Sequence, residues 1–174
     1  SAITRPVQLK VNIVNKAFKE SFTQICHNHQ SREDSVTIMI KLTVSQTNSL
    51  WTRVAFHILK NKSITLHIHD DEHTSYIICQ PLYYTDDMEP RNNGFIININ
   101  YFIMNNLINC VEHKKDFECI VLENRDAPIH SNEDIPIKPV LRINNKDLGF
   151  FMRNLSIDFE VENDDGWHTI MFKK

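Results

Sequence analysis

Glycine is scarce in this chain: Gly94, Gly149 and Gly166 are the only three in 174 residues. Phosphate and dinucleotide loops need several local glycines to bring backbone amides against a phosphate, so neither can be built here. Cysteine is also sparse. Cys26, Cys79, Cys110 and Cys119 are widely spaced and never form CxxC, which argues against a secreted disulfide framework. Each lies within an apolar pattern, and buried free thiols are expected. No GxSxG elbow and no HExxH occurs. An excess of one charge is missing too. Nineteen Lys and Arg stand against 22 Asp and Glu, mixed along the chain, for a net charge of -3. Such a balance creates no field that would gather phosphate backbones. Long apolar runs are lacking as well. The oily clusters around residues 76–79 and 94–107 are too short or too interrupted to cross a bilayer, and SAITRPVQL has no signal-peptide core. A soluble intracellular protein is expected, nuclear rather than cytoplasmic, with no membrane partner and no cofactor.

What the chain does contain is a core. At this length roughly 70% of an extended chain's surface is buried on folding, enough for one domain over residues 1–174 without staples. Asparagine and isoleucine are frequent, and the asparagines are read as compositional bias rather than chemistry. VQLKVNIV alternates Val7, Leu9, Val11 and Ile13 with polar neighbours and predicts a strand. NKAFKESFTQICHNHQS places Phe18, Phe22 and Ile25 at helical spacing. SVTIMIKLTV puts Val36, Ile38, Ile40, Leu42 and Val44 on one strand face. SLWTRVAFHILKN is open to a strand grouping Val54, Phe56 and Ile58 or to a helix capped by Asn48 or Ser49, and length and the cap favour the helix. GFIININ, YFIMNNLINCVEH and DFECIVLEN follow as strand, helix and strand, with Asn100 near the helix cap. LSIDFEV and WHTIMFKK form a final hairpin across Asp165-Gly166. PLYYTDDMEPRNN and NRDAPIHSNEDIPIKP have loop composition. The pattern predicts an α+β fold: a mixed or mainly antiparallel sheet of about seven or eight strands with two or three helices packed on it.

The densest group of potential ligands is SITLHIHDDEHTSYIICQ, residues 63–80. It reads as a hairpin whose strands flank Asp70-Asp71. A two-residue turn leaves His73 on the apolar side, away from His67 and His69. A three-residue loop through Glu72 puts all three imidazoles on one face, with Cys79 farther along it. Three histidines and a water would suit zinc. Yet Glu72 is poorly suited to the left-handed third loop position, and a hairpin tip supplies no second shell. A solvated hairpin face is the preferred reading, and no metal or catalytic residue is assigned. Cys26 with His29, and Cys110 with His113, share helical i,i+3 spacing but fit a core edge better than a site.

Basic side chains form only thin patches, Arg53, Lys60 and Lys62 in one place and Arg142, Lys146 and Arg153 in another. Nucleic-acid contact is therefore expected to be indirect. The two loops carry more. PLYYTDDMEP sets Tyr83 and Tyr84 beside acids, and tyrosine suits interfaces because it joins apolar area to a hydroxyl. The expected partner-binding residues are Tyr83, Tyr84 and Met88 from this loop, Ile135 and Ile137 from the proline-rich one, and Trp51. The leading functional expectation is a non-catalytic protein-interaction or scaffold domain of a hetero-oligomeric assembly. GFIININYFIMNNLINCVEHKKDFECIVLENRD, followed by DIPIKP, resembles the strand, helix, strand and connecting segment of a checkpoint sliding-clamp half. The resemblance covers under a third of the chain and implies a DNA-associated alternative. YFIMNNLINCVEH departs from that family in having no Lys or Arg for a basic inner surface. A zinc-dependent enzyme centred on the histidine cluster is the third reading.

Overall fold

The computed structural model describes residues 7–15, 22–26, 35–46, 52–70, 76–109, 111–124, 126, 133–137, 139–144, 146–147, 157–161 and 168–173. Thirteen strands and two helices are assigned among them. In chain order they are β1 (Val7–Asn15), β2 (Phe22–Cys26), β3 (Ser35–Gln46), α1 (Thr52–Leu59), β4 (Ile64–Ile68), β5 (Ile77–Pro81), β6 (Met88–Arg91) and β7 (Gly94–Asn98). Then come α2 (Asn100–Asn109), β8 (His113–Glu123), β9 (Glu133–Ile137), β10 (Pro139–Ile143), β11 (Lys146–Asp147), β12 (Ile157–Val161) and β13 (His168–Lys173). One sheet runs β12-β1-β3-β8-β5, a second β11-β10-β4-β7-β6, and a three-stranded one β2-β13-β9. The β1–β12 and β2–β13 pairs are parallel and the other ladders antiparallel. The α+β class with mixed sheets is as the sequence pattern predicts. The strand total is higher by five: β6 and β9 lie in the two proline-bearing loops, β10 and β11 follow the second loop, and β2 stands where a helix was expected.

Alternation explains the core. Leu9, Val11 and Ile13 of β1 stand opposite Val44, Leu42 and Ile40 of β3, and these six are buried together with Val7 and Ile38 at the ends of the ladder. Ile64, Leu66 and Ile68 of β4, with Phe95 and Ile97 of β7, line the second sheet's inner face and join the same cluster. Phe95 and Phe117 meet edge to face across the two sheets, with centroids 6.0 Å apart. Helices α1 and α2 lie against each other, and α2 also contacts β1 and β3. Ile103 and Leu107 anchor α2 in the core, while Ala55 and Leu59 anchor α1. Among the described residues no helix is long and apolar enough to cross a membrane.

Three sequence expectations are overturned by pairing. The segment holding Phe22 and Ile25 is strand β2, not helix, because it pairs with β13 in a sheet that local periodicity does not reveal. The expected β4–β5 hairpin does not form. β4 lies between β10 and β7, while β5 pairs with β8 in the other sheet. The last two strands are likewise separated, β12 joining β1 and β13 lying between β2 and β9; Asp165-Gly166 falls outside the described residues.

The asparagines correct the compositional reading. Asn98 accepts the N–H of Asn100 through its side chain at 3.0 Å, at the first turn of α2. The Asn100 carboxamide accepts the Ile64 N–H at 2.8 Å and donates to the Lys62 carbonyl, so it ties that helix start to the entry of β4. Asn144 accepts the Ser63 N–H at 2.9 Å, and fully buried Asn106 donates to the Val111 carbonyl at 2.8 Å beyond the end of α2. Each carboxamide substitutes for a backbone group where secondary structure stops.

Candidate functional site

The histidine segment resolves into a buried network. β4 is an interior strand of its sheet, and His67 and His69 are only 5% and 3% exposed. This corrects the expectation of a solvated hairpin face. His67 Nδ1 lies 2.8 Å from Asp70 Oδ2, and its Nε2 lies 3.0 Å from the Thr65 hydroxyl. Asp70 also accepts from Asn92 at 3.2 Å and has the Arg142 guanidinium 3.9 Å away. A carboxylate only accepts, so the Asp70 contact calls for a proton on Nδ1, which also has an Arg142 guanidinium nitrogen 3.4 Å away. Hydroxyl, imidazole and carboxylate thus stand in the order used by nucleophilic hydrolases. Here their links reach β10 through Arg142 and the β6–β7 turn through Asn92, and the three groups are almost wholly covered. The arrangement satisfies buried polar atoms where three chain segments meet. His73 lies outside the described residues. Among those residues no group of three or more His, Cys, Asp or Glu side chains is placed to hold a metal ion.

Backbone geometry supports the same junction. His69 has φ 54° and Asn92 φ 43°, both in the left-handed region. A Cβ on Gly94 would stand 2.0 Å from the Ile68 carbonyl oxygen and 2.5 Å from that of His69. Only glycine lets the β6–β7 turn approach the end of β4 so closely.

The other chemically distinctive stretch faces solvent. Leu82 to Asp87 cross from β5 to β6, that is, from an outer strand of one five-stranded sheet to an outer strand of the other. Tyr83 is 84% exposed and Tyr84 45%. The base of the crossing is held firmly. Leu82 N–H donates to the Glu118 carbonyl at 3.0 Å, and Met88 N–H to the Thr85 carbonyl at 3.0 Å. Lys115 Nζ reaches Asp87 Oδ2 at 2.9 Å, and the Thr85 hydroxyl donates to the other Asp87 oxygen. Burial alone raises the Asp87 pKa, but the Thr85 and Lys115 hydrogen bonds and the Lys115 charge outweigh it and leave the carboxyl below its ordinary value. Burial raises the Tyr84 phenol, and the nearby Cys79 and Cys119 thiols push the same way. Those two cysteines are free and buried, as expected. A Cys79 hydrogen bond, then burial, raises Cys119.

Of the other expected contact residues, Met88 is 6% exposed and Ile137 fully buried, so both face the core. Ile135 lies in β9, paired with Ile170, and Trp51 falls outside the described residues. Sequence reasoning missed the cleft beside the tyrosine loop. It encloses about 860 Å³ between residues 85–87, β6 and the first turn of α2, with Thr65, Ile96 and Asn98 of the second sheet lining it. Its lining comes from four segments, so no local pattern announces it.

No family model matches the chain, and no curated protein matches it. Among solved structures it is similar to CaCohA2 from Clostridium acetobutylicum, a solution structure, with 13% identity and a TM-score of 0.39 over 98% of this chain and 92% of that one. It is also similar to the Fcho1 Mu homology domain of Danio rerio with bound Eps15 peptide, with 10% identity and a TM-score of 0.29 over 80% of this chain and 57% of that one.

Proposed function

We propose that the chain is a non-catalytic protein-interaction domain of a larger assembly and that the Leu82–Asp87 crossing is its partner-facing element. The carrying observation is Tyr83, a large aromatic 84% exposed on a short segment pinned at both ends. A pinned loop has already lost the conformational freedom that binding would otherwise remove. An exposed tyrosine then offers apolar area and a hydroxyl together. Side chains rather than strand addition would make this contact. The Asn98 N–H to Asp87 carbonyl bond sets the ladder parity of β6, and counting by two turns Pro90 outward. The Leu82–Glu118 bond does the same for Pro81 of β5. Neither proline has an N–H, and the outward Cys79 N–H already donates to the Asn93 carbonyl at 2.8 Å. Both edges are thus blunted.

The experiment is affinity purification of the complex from the protein's native cells, wild type against Tyr83→Ala/Tyr84→Ala. Loss of about 2 kcal/mol of affinity, roughly 30-fold, is expected with an unchanged melting temperature. Equal recovery of the partner would overturn the assignment. A DNA-associated, clamp-like role is the second reading, favoured by the β7–α2–β8 succession and the contact of α2 with α1. Direct phosphate contacts would give affinity falling steeply with salt. Because α2 carries no charged residue, such a role predicts a shallow slope for contacts made through this helix.

A further inference from the structure

The cleft beside the tyrosine loop has a chemistry that names its occupant. Lys115 shows the principle within the chain: its ammonium lies 2.9 Å from the Asp87 carboxylate and 5.4 Å from the centre of the Phe102 ring. A cation is thus held by a carboxylate and an aromatic face, the two groups that attract it most strongly. Next along the same two segments stand Asp86 and Tyr101. Both line the cleft, both are exposed, and Tyr101 is 71% accessible. Asp86 has no ion-pair partner among the described residues. Glu89 adds a third carboxylate to the lining, paired with Arg91 at 2.9 Å in an exposed and readily exchanged contact. With Lys115 paired to Asp87 and Arg91 to Glu89, Asp86 is the carboxylate that leaves the lining negative, and Ile96 supplies apolar floor.

We propose that this cleft receives an arginine side chain from an extended segment of a protein partner. The guanidinium stacks on Tyr101 and forks onto Asp86, and the flanking residue of the partner covers Ile96. Arginine suits this better than lysine, because its planar fork matches a carboxylate and its flat face matches a ring. The proposal rests on the reading of the adjacent loop as partner-facing and adds the chemistry of what the partner brings.

The test uses the full chain and the tripeptide acetyl-Leu-Arg-Leu-amide, with citrulline and lysine versions beside it, in calorimetric titration at low salt. Binding of the arginine peptide is expected to exceed the citrulline peptide about tenfold and the lysine peptide about threefold. Asp86→Asn should reduce arginine binding about threefold to tenfold, and Tyr101→Leu should remove the preference for arginine over lysine. Thermal melts establish that these exposed substitutions leave the fold intact. Equal binding of the arginine and citrulline peptides, or no binding at about 10 mM, overturns the proposal. Tyr83→Ala/Tyr84→Ala separates the two readings. If the tyrosines matter to the partner but the tripeptide does not bind, only the cleft assignment falls. If the tripeptide binds as expected but the partner ignores the tyrosines, only the loop assignment falls.

Discussion

Two stretches a dozen residues apart, Thr65–Asp70 and Leu82–Asp87, carry the chain's most distinctive side chains and treat them in opposite ways. The first turns two histidines inward, at 5% and 3% exposure, and the second turns Tyr83 outward at 84%. Residue type alone would have reversed them, since tyrosine is the more apolar. Position in the sheets decides it. β4 has a strand on each side and all five of its residues are buried, so its polar side chains must be satisfied internally. The crossing joins two outer strands and has sheet only at its base. A cluster of chemically capable residues is therefore a site only if the fold leaves it open.

That contrast can be broken or sharpened by substitution, most severely at the backbone. Gly94→Ala places a methyl group against two carbonyl oxygens and is expected to cost about 3 kcal/mol or more, read from chemical denaturation. A change below 1 kcal/mol would mean that the turn shifts freely away from β4. His67→Ala strands buried Asp70 and the Thr65 hydroxyl and should cost about 2–3 kcal/mol. If it proves as mild as a surface change, the network is not the junction described here. Acid sharpens the other side of the comparison. The Asp87 pKa lies below its unfolded value, so its contribution is fully present above the unfolded carboxylate range and is lost as pH falls through the folded pKa. Both partners are partly exposed, so the amount is under about 1 kcal/mol. Lys115→Met should flatten that part of the stability-versus-pH curve; an unchanged curve would show that the pair does not hold the loop. Tyr83→Ala is the smallest effect on stability, within about 0.5 kcal/mol. A larger loss on thermal melting would show that the ring packs on its own core.

Much of the architecture was legible. Strict alternation in residues 7–13 and 36–44 announces strands buried on one face, and β1 and β3 pair with those faces aligned. The apolar spacing of residues 49–60 and 101–113 announces two helices, and they form as Thr52–Leu59 and Asn100–Asn109. Illegibility begins where pairing is long-range. Phe22 and Ile25 fit a helix by spacing and a strand by partner, and the partner lies almost 150 residues away. Met88 looks like a loop residue between two prolines, yet it opens a strand paired with β7 and is buried. The loop composition around Tyr83 and Tyr84 announced a segment outside the main sheets, and Tyr83 stands 84% exposed there. The cleft was not legible, because its walls meet only after β4, β6, β7 and α2 assemble.

By itself, then, the sequence determined the α+β class, the long strands, the two helices and the absence of a glycine-built phosphate loop. Each of those depends on local periodicity or on a residue type that is simply missing. Only the tertiary structure decided which strands are neighbours, and hence that His67 is enclosed while Tyr83 stands free. The physical reason is that exposure belongs to pairs of segments: a side chain is covered by what the chain brings back to it, and local pattern carries no record of that return.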